Sequence, residues 1–323
     1  MSGVLSFQQD SFGTIQSAGM RMSKRTLVVT AATESFAPLL RGLIGSLHQW
    51  TRSPWTDVAC FDLGLGNDSV AWVRRHVRHV VCPEWDLPVD SALRVDQSHL
   101  RALTVRPFLP RYFPGYDIYL WIDADAWVQQ RYALEWLFAA ASQGSMALVP
   151  QAHPNYRQAR EGIEWRMGRL SSYFGEKQAQ QALWKPYFNA GVFALSVNAP
   201  HWQVWSRRFH EGLAATSGKR CCDQTALNYA IWNDRLPVNP LPATCNWLCH
   251  LADPVFDPSS QLLCEPMRPG QPIGIVHLSA DSKGARIALP YPHDGPGLDL
   301  RFHGPTYQRY RAAGNAPQSM PAH

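Results

Sequence analysis

Four short stretches hold residue types that can do chemistry. In WIDADAWV at 121–128, Asp123 and Asp125 flank Ala124 at the end of the apolar run DIYLWI, 117–122. Strand alternation sends both carboxylates to one side. Two adjacent carboxylates repel unless a cation or a proton sits between them. Partly hydrated oxygen sites suit Mn²⁺ or Mg²⁺, with phosphate oxygens filling the shell. In YFNAGVFALS at 187–196, Asn189 and Gly191 interrupt a second apolar run. A glycine there lets a ligand or another backbone come close, and an Asn amide can donate and accept at once. A structural bulge explains the pair equally well. In CDQTALN at 222–228, Asp223 stands at an expected helix N-cap and Gln224 falls in the first turn. Capping does not exclude function, because first-turn residues project into clefts. In IVHLSADSK at 275–283, His277 closes an apolar strand and Lys283 follows six residues on. An imidazole beside carboxylates can ligate a metal, and a lysine is a compact charge against phosphate. The plainer readings are two solvated aspartates, a bulge, a cap and a core histidine.

The elements that must position these residues alternate strand and helix. Strands are expected at 26–32, 58–64, 79–82, 117–122, 145–150, 187–196 and 273–279. Helices are expected at 36–50, 69–77, 98–113, 131–142, 199–214 and 222–233, with an irregular helical stretch over 151–185. This alternation argues for an α/β fold with a largely parallel sheet, whose ligand crevice lies at the strand C-termini. From 235 onward proline is dense and the pattern irregular.

Composition narrows the function classes. The 323 residues are 46% hydrophobic, which excludes a disordered polymer. No apolar run approaches the roughly 20 residues that span a bilayer. The net charge of +5 is spread over single and paired basic residues, so nucleic-acid binding is not indicated. Seven cysteines without a second paired-Cys arm argue against zinc. Reduced thiols and a cytoplasmic location are expected. Residues 1–22 read as a weakly ordered leader, 23–300 as one catalytic domain and 301–323 as a C-terminal tail. In that tail RFHGPTYQRYR, 301–311, mixes arginines with aromatic residues. It is a candidate for peripheral membrane contact, with docking on the domain as the alternative.

Taken in order, the four stretches resemble the family 8 glycosyltransferases. The family pattern is Asp-x-Asp after a buried strand, a Phe-Asn-Ala-Gly strand, Asp-Gln-Asp before a helix, and His-x-x-Gly-x-x-Lys-Pro-Trp. The matching residues are Asp123-Ala124-Asp125, Phe188 to Gly191, Asp223-Gln224-Thr225 and His277 to Lys283. TAATESF at 30–36 resembles the family's nucleoside-holding turn, and Arg106 takes the place of its arginine before the acidic motif. The resemblance spans about 26–285. It implies a GT-A nucleotide-diphospho-sugar transferase fold, with a mixed, mostly parallel central sheet flanked by helices. It implies a retaining transfer from a nucleotide sugar, a UDP-sugar, to a hydroxyl on a glycan, lipid or protein. Asp123, Asp125 and His277 would hold Mn²⁺ (or Mg²⁺). Ala31, Ala32, Thr33, Phe36, Arg106, Asp123, Ala124, Asn189, Ala190, Gly191 and Lys283 would bind the donor. Asp223 and Gln224 would be catalytic. Thr33 replaces a usual acidic residue, Thr225 the second Asp of Asp-Gln-Asp, Ala280 the Gly after the histidine, and Gly284-Ala285 the Pro-Trp.

Two other functions fit parts of the sequence. FDLGLGND at 61–68 carries Gly64-x-Gly66 after a strand, a partial dinucleotide fingerprint that suits an oxidoreductase, but position 69 is Ser. A non-catalytic carbohydrate- or partner-binding protein on a transferase fold is the third reading, and the intact Asp123, Asp125 and His277 argue against it.

Overall fold

The run TLVVTAA forms strand β1 (Thr26–Ala32), buried along its whole length. β-branched and apolar residues at every position suit a strand covered on both faces. The computed structural model describes residues 24–51, 55–268, 270–289 and 297–314. The expected leader, 1–22, and the end of the tail lie outside the described residues.

β1 pairs in parallel with β2 (Thr56–Asp62) on one side and, on the other, with the strand Ile118–Ile122. β2 carries β3 (His79–Val81), also parallel. The Ile118–Ile122 strand, β4, is followed closely by the short β5 (Ala126–Val128). Beyond β4 the strand Phe188–Ser196 runs antiparallel to both its neighbours, and the last pair of the sheet is parallel again. With β6 (Met146–Pro150), β7 (Phe188–Ser196) and β8 (Val238–Pro240), the seven-stranded order is β3-β2-β1-β4-β7-β6-β8. The sheet is mixed and mostly parallel, as expected.

Alternate residues feed two cores. Leu27, Val29, Tyr119, Trp121 and Phe193 face one way, where Trp205 and Phe209 of the helix His201–Ala215 cover them. Val28, Leu120, Ile122 and Val192 face the other, under Leu43 and Leu47 of the helix Ala37–Trp50 and Leu134 and Leu137 of the helix Tyr132–Ala141.

Two expectations are corrected. The single helix over 98–113 is a series of short helical pieces, Ser98–Leu100, Arg101–Val105, Arg106–Phe108 and Leu109–Tyr112. Pro107 and Pro110 lack the N–H that a continuous helix needs. The proline-dense region also contains strands: β9 (Trp247–Leu248), a hairpin of β10 (Val255–Asp257) and β11 (Leu262–Cys264), and β12 (Ile275–His277). β12 lies between β5 and β9 in a small second sheet, antiparallel to β5 and parallel to β9.

The described part of the C-terminal segment docks on the domain. Pro305 opens the helix Pro305–Gly314, where its missing N–H has no intrahelical partner to lose. Phe302 and Tyr307 are buried against Trp127, with ring centres 5.1 and 5.7 Å away. Tyr310 meets Phe256 edge-on at 4.4 Å. The Phe302 and Tyr307 rings are thus occupied by the protein's own core. Tyr307→Ala should therefore lower the unfolding free energy by about 3 kcal/mol, the range for emptying a buried aromatic site. Urea denaturation checks this, and a loss below about 1 kcal/mol contradicts the docking. Among the described residues, no helix is long and apolar enough to cross a membrane.

Candidate active site

β4 ends at Ile122, and a tight turn carries the chain through Asp123, Ala124 and Asp125 into β5. Two backbone bonds fix the turn: Asp123 N–H donates to Gly191 O at 2.8 Å, and Ala126 N–H to Asp123 O at 3.0 Å. The pairing of β12 with β5 sets His277 opposite Ala126, and Leu278 N–H donates to Asp125 O at 2.8 Å. Backbone pairing alone thus brings a histidine more than 150 positions away beside the acidic turn.

His277 Nε2 lies 3.3 Å from Asp125 Oδ1 and 3.9 Å from Asp123 Oδ2. One ligand atom from each of Asp123, Asp125 and His277 lies within 4.8 Å of the others. Neighbouring ligands of an octahedral ion at about 2.1 Å stand roughly 3 Å apart, so this donor set fits a hard divalent cation. Lys283 Nζ lies 3.0 Å from Asp125 Oδ2 and donates to Ala280 O at 2.7 Å. Burial alone would raise the Asp125 carboxyl, but His277 and Lys283 outweigh it and draw the pKa down to about 2. The group is thus ionised throughout the neutral range and ready for a cation.

Gly191 is required by this packing. A Cβ there would come within 2.5 Å of both Asp123 Oδ2 and the His277 ring, and within 2.9 Å of Asn189 Oδ1. The register between β6 and β7 breaks here: Leu148 faces Phe193 while Val149 already faces Asn189. The bulge reading of Asn189-Ala190-Gly191 is therefore realised, and the irregularity brings this segment to the acidic turn.

Above the turn lies an open cleft lined by Ala31, Ala32, Thr33, Phe36, Arg106, Asp123, Ala124, Asp125 and Lys283. These are nine of the residues expected around the donor or the metal, gathered at the C-terminal end of β1 and β4. Lys283 Nζ stands 5.7 Å from the centre of the Phe36 ring. Leu63, His99, Ala102 and Leu103 complete the lining and were not foreseen. Leu63 follows the end of β2, and His99, Ala102 and Leu103 sit on the broken helical segment, where none of them belongs to a motif that marks a site.

Arg106 and Asp223 hold each other. Asp223 is the first residue of the helix Asp223–Asn233, whose N-cap is Cys222, so the expected capping role is corrected. Its Oδ2 instead accepts from Arg106 Nη1 at 2.6 Å, and Arg106 Nη2 donates to Asp123 Oδ1. Trp121 Nε1 also donates to Asp123 Oδ1 at 2.7 Å, and the guanidinium lies 4.8 Å from the centre of that indole ring. Burial works against the charge of Arg106, but its two carboxylates hold the proton more firmly than usual. Burial pushes the Asp223 carboxyl up, against the pull of Arg106.

Gln224 Oε1 accepts from Ala190 N–H at 2.9 Å and from Asn189 Nδ2 at 3.2 Å, which fastens the helix start to β7. Asn246, absent from the sequence reading, is fully buried between Asn189 and His277. Thr225 is also fully buried, with its hydroxyl 3.1 Å from Cys222 Sγ. It faces the core, so its difference from the family's Asp does not alter a sugar contact directly. Ala280 has φ +49°, a left-handed conformation that favours glycine, which accounts for the Gly in the family pattern.

The Gly64-x-Gly66 turn serves the fold. Gly64 takes φ +117°. Gly66 N–H and the Ser69 hydroxyl donate to the Glu34 carboxylate at 2.7 and 3.0 Å. A protein carboxylate thus occupies the helix N-terminus that a dinucleotide phosphate would need.

Residues 28–253 match the description "Glycosyl transferase family 8". The chain belongs to this family. The match ends before His277, so strand pairing rather than the matched segment brings the histidine of the Asp-Asp-His group to the acidic turn of this family 8 glycosyltransferase. In structure it is similar to a galactosyltransferase, LgtC, crystallised with donor and acceptor sugar analogs. The TM-score is 0.51 and the identity 16%, over 91% of this chain and 97% of that one. An active-site mutant of LgtC gives a TM-score of 0.50 at 16% identity, over 88% and 94% of the two chains. WbbM, a bifunctional glycosyltransferase, gives 0.50 at 14% identity, over 80% of this chain and 46% of that one. These likenesses establish the GT-A fold. No curated protein matches the chain in sequence.

Proposed function

We propose that this glycosyltransferase moves a sugar from a UDP-sugar to a hydroxyl of a glycan, with retention of configuration and with Mn²⁺ or Mg²⁺ as cofactor. One observation carries the reading: Asp123 and Asp125 line the cleft that opens at the end of β1, and His277 stands against them, with one ligand atom of each within 4.8 Å of the others. A divalent cation bound by these three would neutralise the growing charge on the departing diphosphate.

The chain's own residues do the rest. Lys283 supplies a compact positive charge at the phosphate side. Ala31, Ala32, Thr33 and Phe36 form the wall against the nucleoside, with Phe36 offering a ring face. Asn189 and Asp223 orient donor hydroxyls, and Arg106 holds Asp223 and Asp123 in place. Gln224 faces the sugar from the helix start. An amide is a poor nucleophile, and the carboxylates of Asp123 and Asp223 are already committed to Arg106. A front-face route follows. The bond from the anomeric carbon to the phosphate oxygen breaks, the acceptor oxygen bonds on the same face, and its proton passes to the departing diphosphate.

A cytoplasmic site of action is part of the proposal, supported by seven free cysteines of which five are buried. Lipid and protein acceptors are the alternatives to a glycan.

The test is a panel of nucleotide sugars incubated with Mn²⁺ and scored by nucleotide release. Release from a UDP-sugar is expected, and no release from any member contradicts the proposal. On the active donor, Gln224→Ala should lower kcat by about 10²-fold with little change in KM, as for an interaction made chiefly in the transition state. A change in KM alone would make Gln224 a binding residue only.

A further inference from the structure

We propose that Asn246 is a positioning residue that fixes the tautomer of His277 and ties that ring, through Asn189, to Gln224. The inference rests on the reading of Asp123, Asp125 and His277 as the cation site.

Four polar side chains from separate parts of the fold form one chain. His277 Nδ1 lies 2.8 Å from Asn246 Oδ1. Asn246 Nδ2 donates to Asn189 Oδ1 at 3.0 Å, and Asn189 Nδ2 donates to Gln224 Oε1 at 3.2 Å. Two backbone N–H groups, which cannot reverse their polarity, set its direction. Gly191 N–H points at Asn189 from 2.9 Å, so the atom it meets must be the amide oxygen. An oxygen there obliges Asn246 to present its NH₂. That turns the Asn246 oxygen to His277, and an oxygen facing Nδ1 requires the proton on Nδ1. Nε2 is then the nitrogen turned to Asp125 Oδ1, 3.3 Å away, and the one placed to ligate a cation. At the other end, Ala190 N–H fixes Gln224 Oε1 at 2.9 Å. The NH₂ end of Gln224 is then the end turned to the buried Tyr187 hydroxyl.

Burial makes this order binding. Asn246 is 0% exposed, His277 2% and Asn189 9%. A reversed amide would set like against like where no water can compensate. The backbone puts Asn246 in place, because it leads into β9, and Leu248 of β9 pairs with His277 of β12. The local sequence gives no hint of this, since Asn246 lies in a stretch without periodicity.

Two substitutions separate the two halves of the role. Asn246→Asp keeps an acceptor for the His277 Nδ1–H but has no N–H to give Asn189. Asn246→Leu removes both. With Mn²⁺ alone, read by the EPR signal of the free ion, the Asp variant should bind no more weakly than wild type. The Leu variant should bind about 10–100-fold more weakly, the range for losing the outer partner of a histidine ligand. In nucleotide-sugar hydrolysis the Asp variant should lose about tenfold or more in kcat with KM little changed, because Asn189 loses the donor that holds it against Gln224. ¹⁵N NMR of histidine-labelled protein, assigned with His277→Gln, should show the Nδ1–H tautomer in wild type and in the Asp variant.

An Nε2–H tautomer in wild type overturns the proposal. So does a folded Leu variant that binds Mn²⁺ like wild type. An Asp variant with wild-type kcat breaks the link to Gln224 and overturns that half. If the Leu variant does not fold, the wild-type tautomer and the Asp variant still decide. If wild type binds no Mn²⁺ yet shows the Nδ1–H tautomer, the cation reading fails while the tautomer assignment is upheld.

Discussion

Arg106→Ala should lower the unfolding free energy by about 3–5 kcal/mol, the penalty for leaving a buried carboxylate without its cation. The side chains of Arg106 and Asp223 are only 6% and 3% exposed, and the guanidinium is shared with Asp123. Removing it leaves two carboxylates on one empty volume, with Asp223 fully desolvated. Asp223 then folds best as the neutral acid. Its folded pKa, already raised by burial, moves further above the unfolded value of 3.8. A carboxyl that binds its proton more tightly when folded loses stability as pH rises. The damage should therefore be greater at pH 8 than at pH 5, in guanidinium denaturation at both values. Arg106→Lys restores charge without the two-pronged fork and should recover only part of the loss. A change within about 1 kcal/mol at both pH values would mean that the ion triad contributes little.

Asp125→Asn should reduce transfer by about 10³-fold or more, because several kcal/mol of transition-state stabilisation depend on the cation that this carboxylate helps to hold. The same change alters the acid limb of stability. The Asp125 pKa falls from 3.8 in the unfolded chain to about 2 in the fold. That shift is worth about 2 kcal/mol above the unfolded value and disappears as pH falls through the folded one. The Asn variant should lack this segment of the stability curve between about pH 4 and pH 2. Activity comparable to wild type would exclude Asp125 from the cation site.

The strands that carry the site were legible because each is a run of apolar, often β-branched residues ending in a polar one. TLVVTAA, DIYLWI and FNAGVFALS stood out for this reason, and the carboxylates, amide and glycine at or near the ends of the last two meet at the acidic turn. Less visible were features created by tertiary pairing. Strands of two or three residues, such as β9 and β12, are too short to show a period, so Asn246 was missed. Asp223 looked like a cap because local pattern cannot see an arginine 117 positions away. The tail's aromatics suggested a lipid interface, but Trp127 offered them a core. The glycine at 191 was flagged for close approach, and what approaches is the protein's own Asp123 and His277.

The central claim is that Asp123, Asp125 and His277 bind a cation together with a nucleotide diphosphate. Calorimetric titration of UDP tests it most directly, in Mn²⁺, in excess chelator, and with a variant carrying both Asp123→Asn and Asp125→Asn. UDP should bind wild type in Mn²⁺ and lose most of its affinity both in chelator and in the double variant. Equal UDP affinity in all three titrations, or none in the first, would contradict the account.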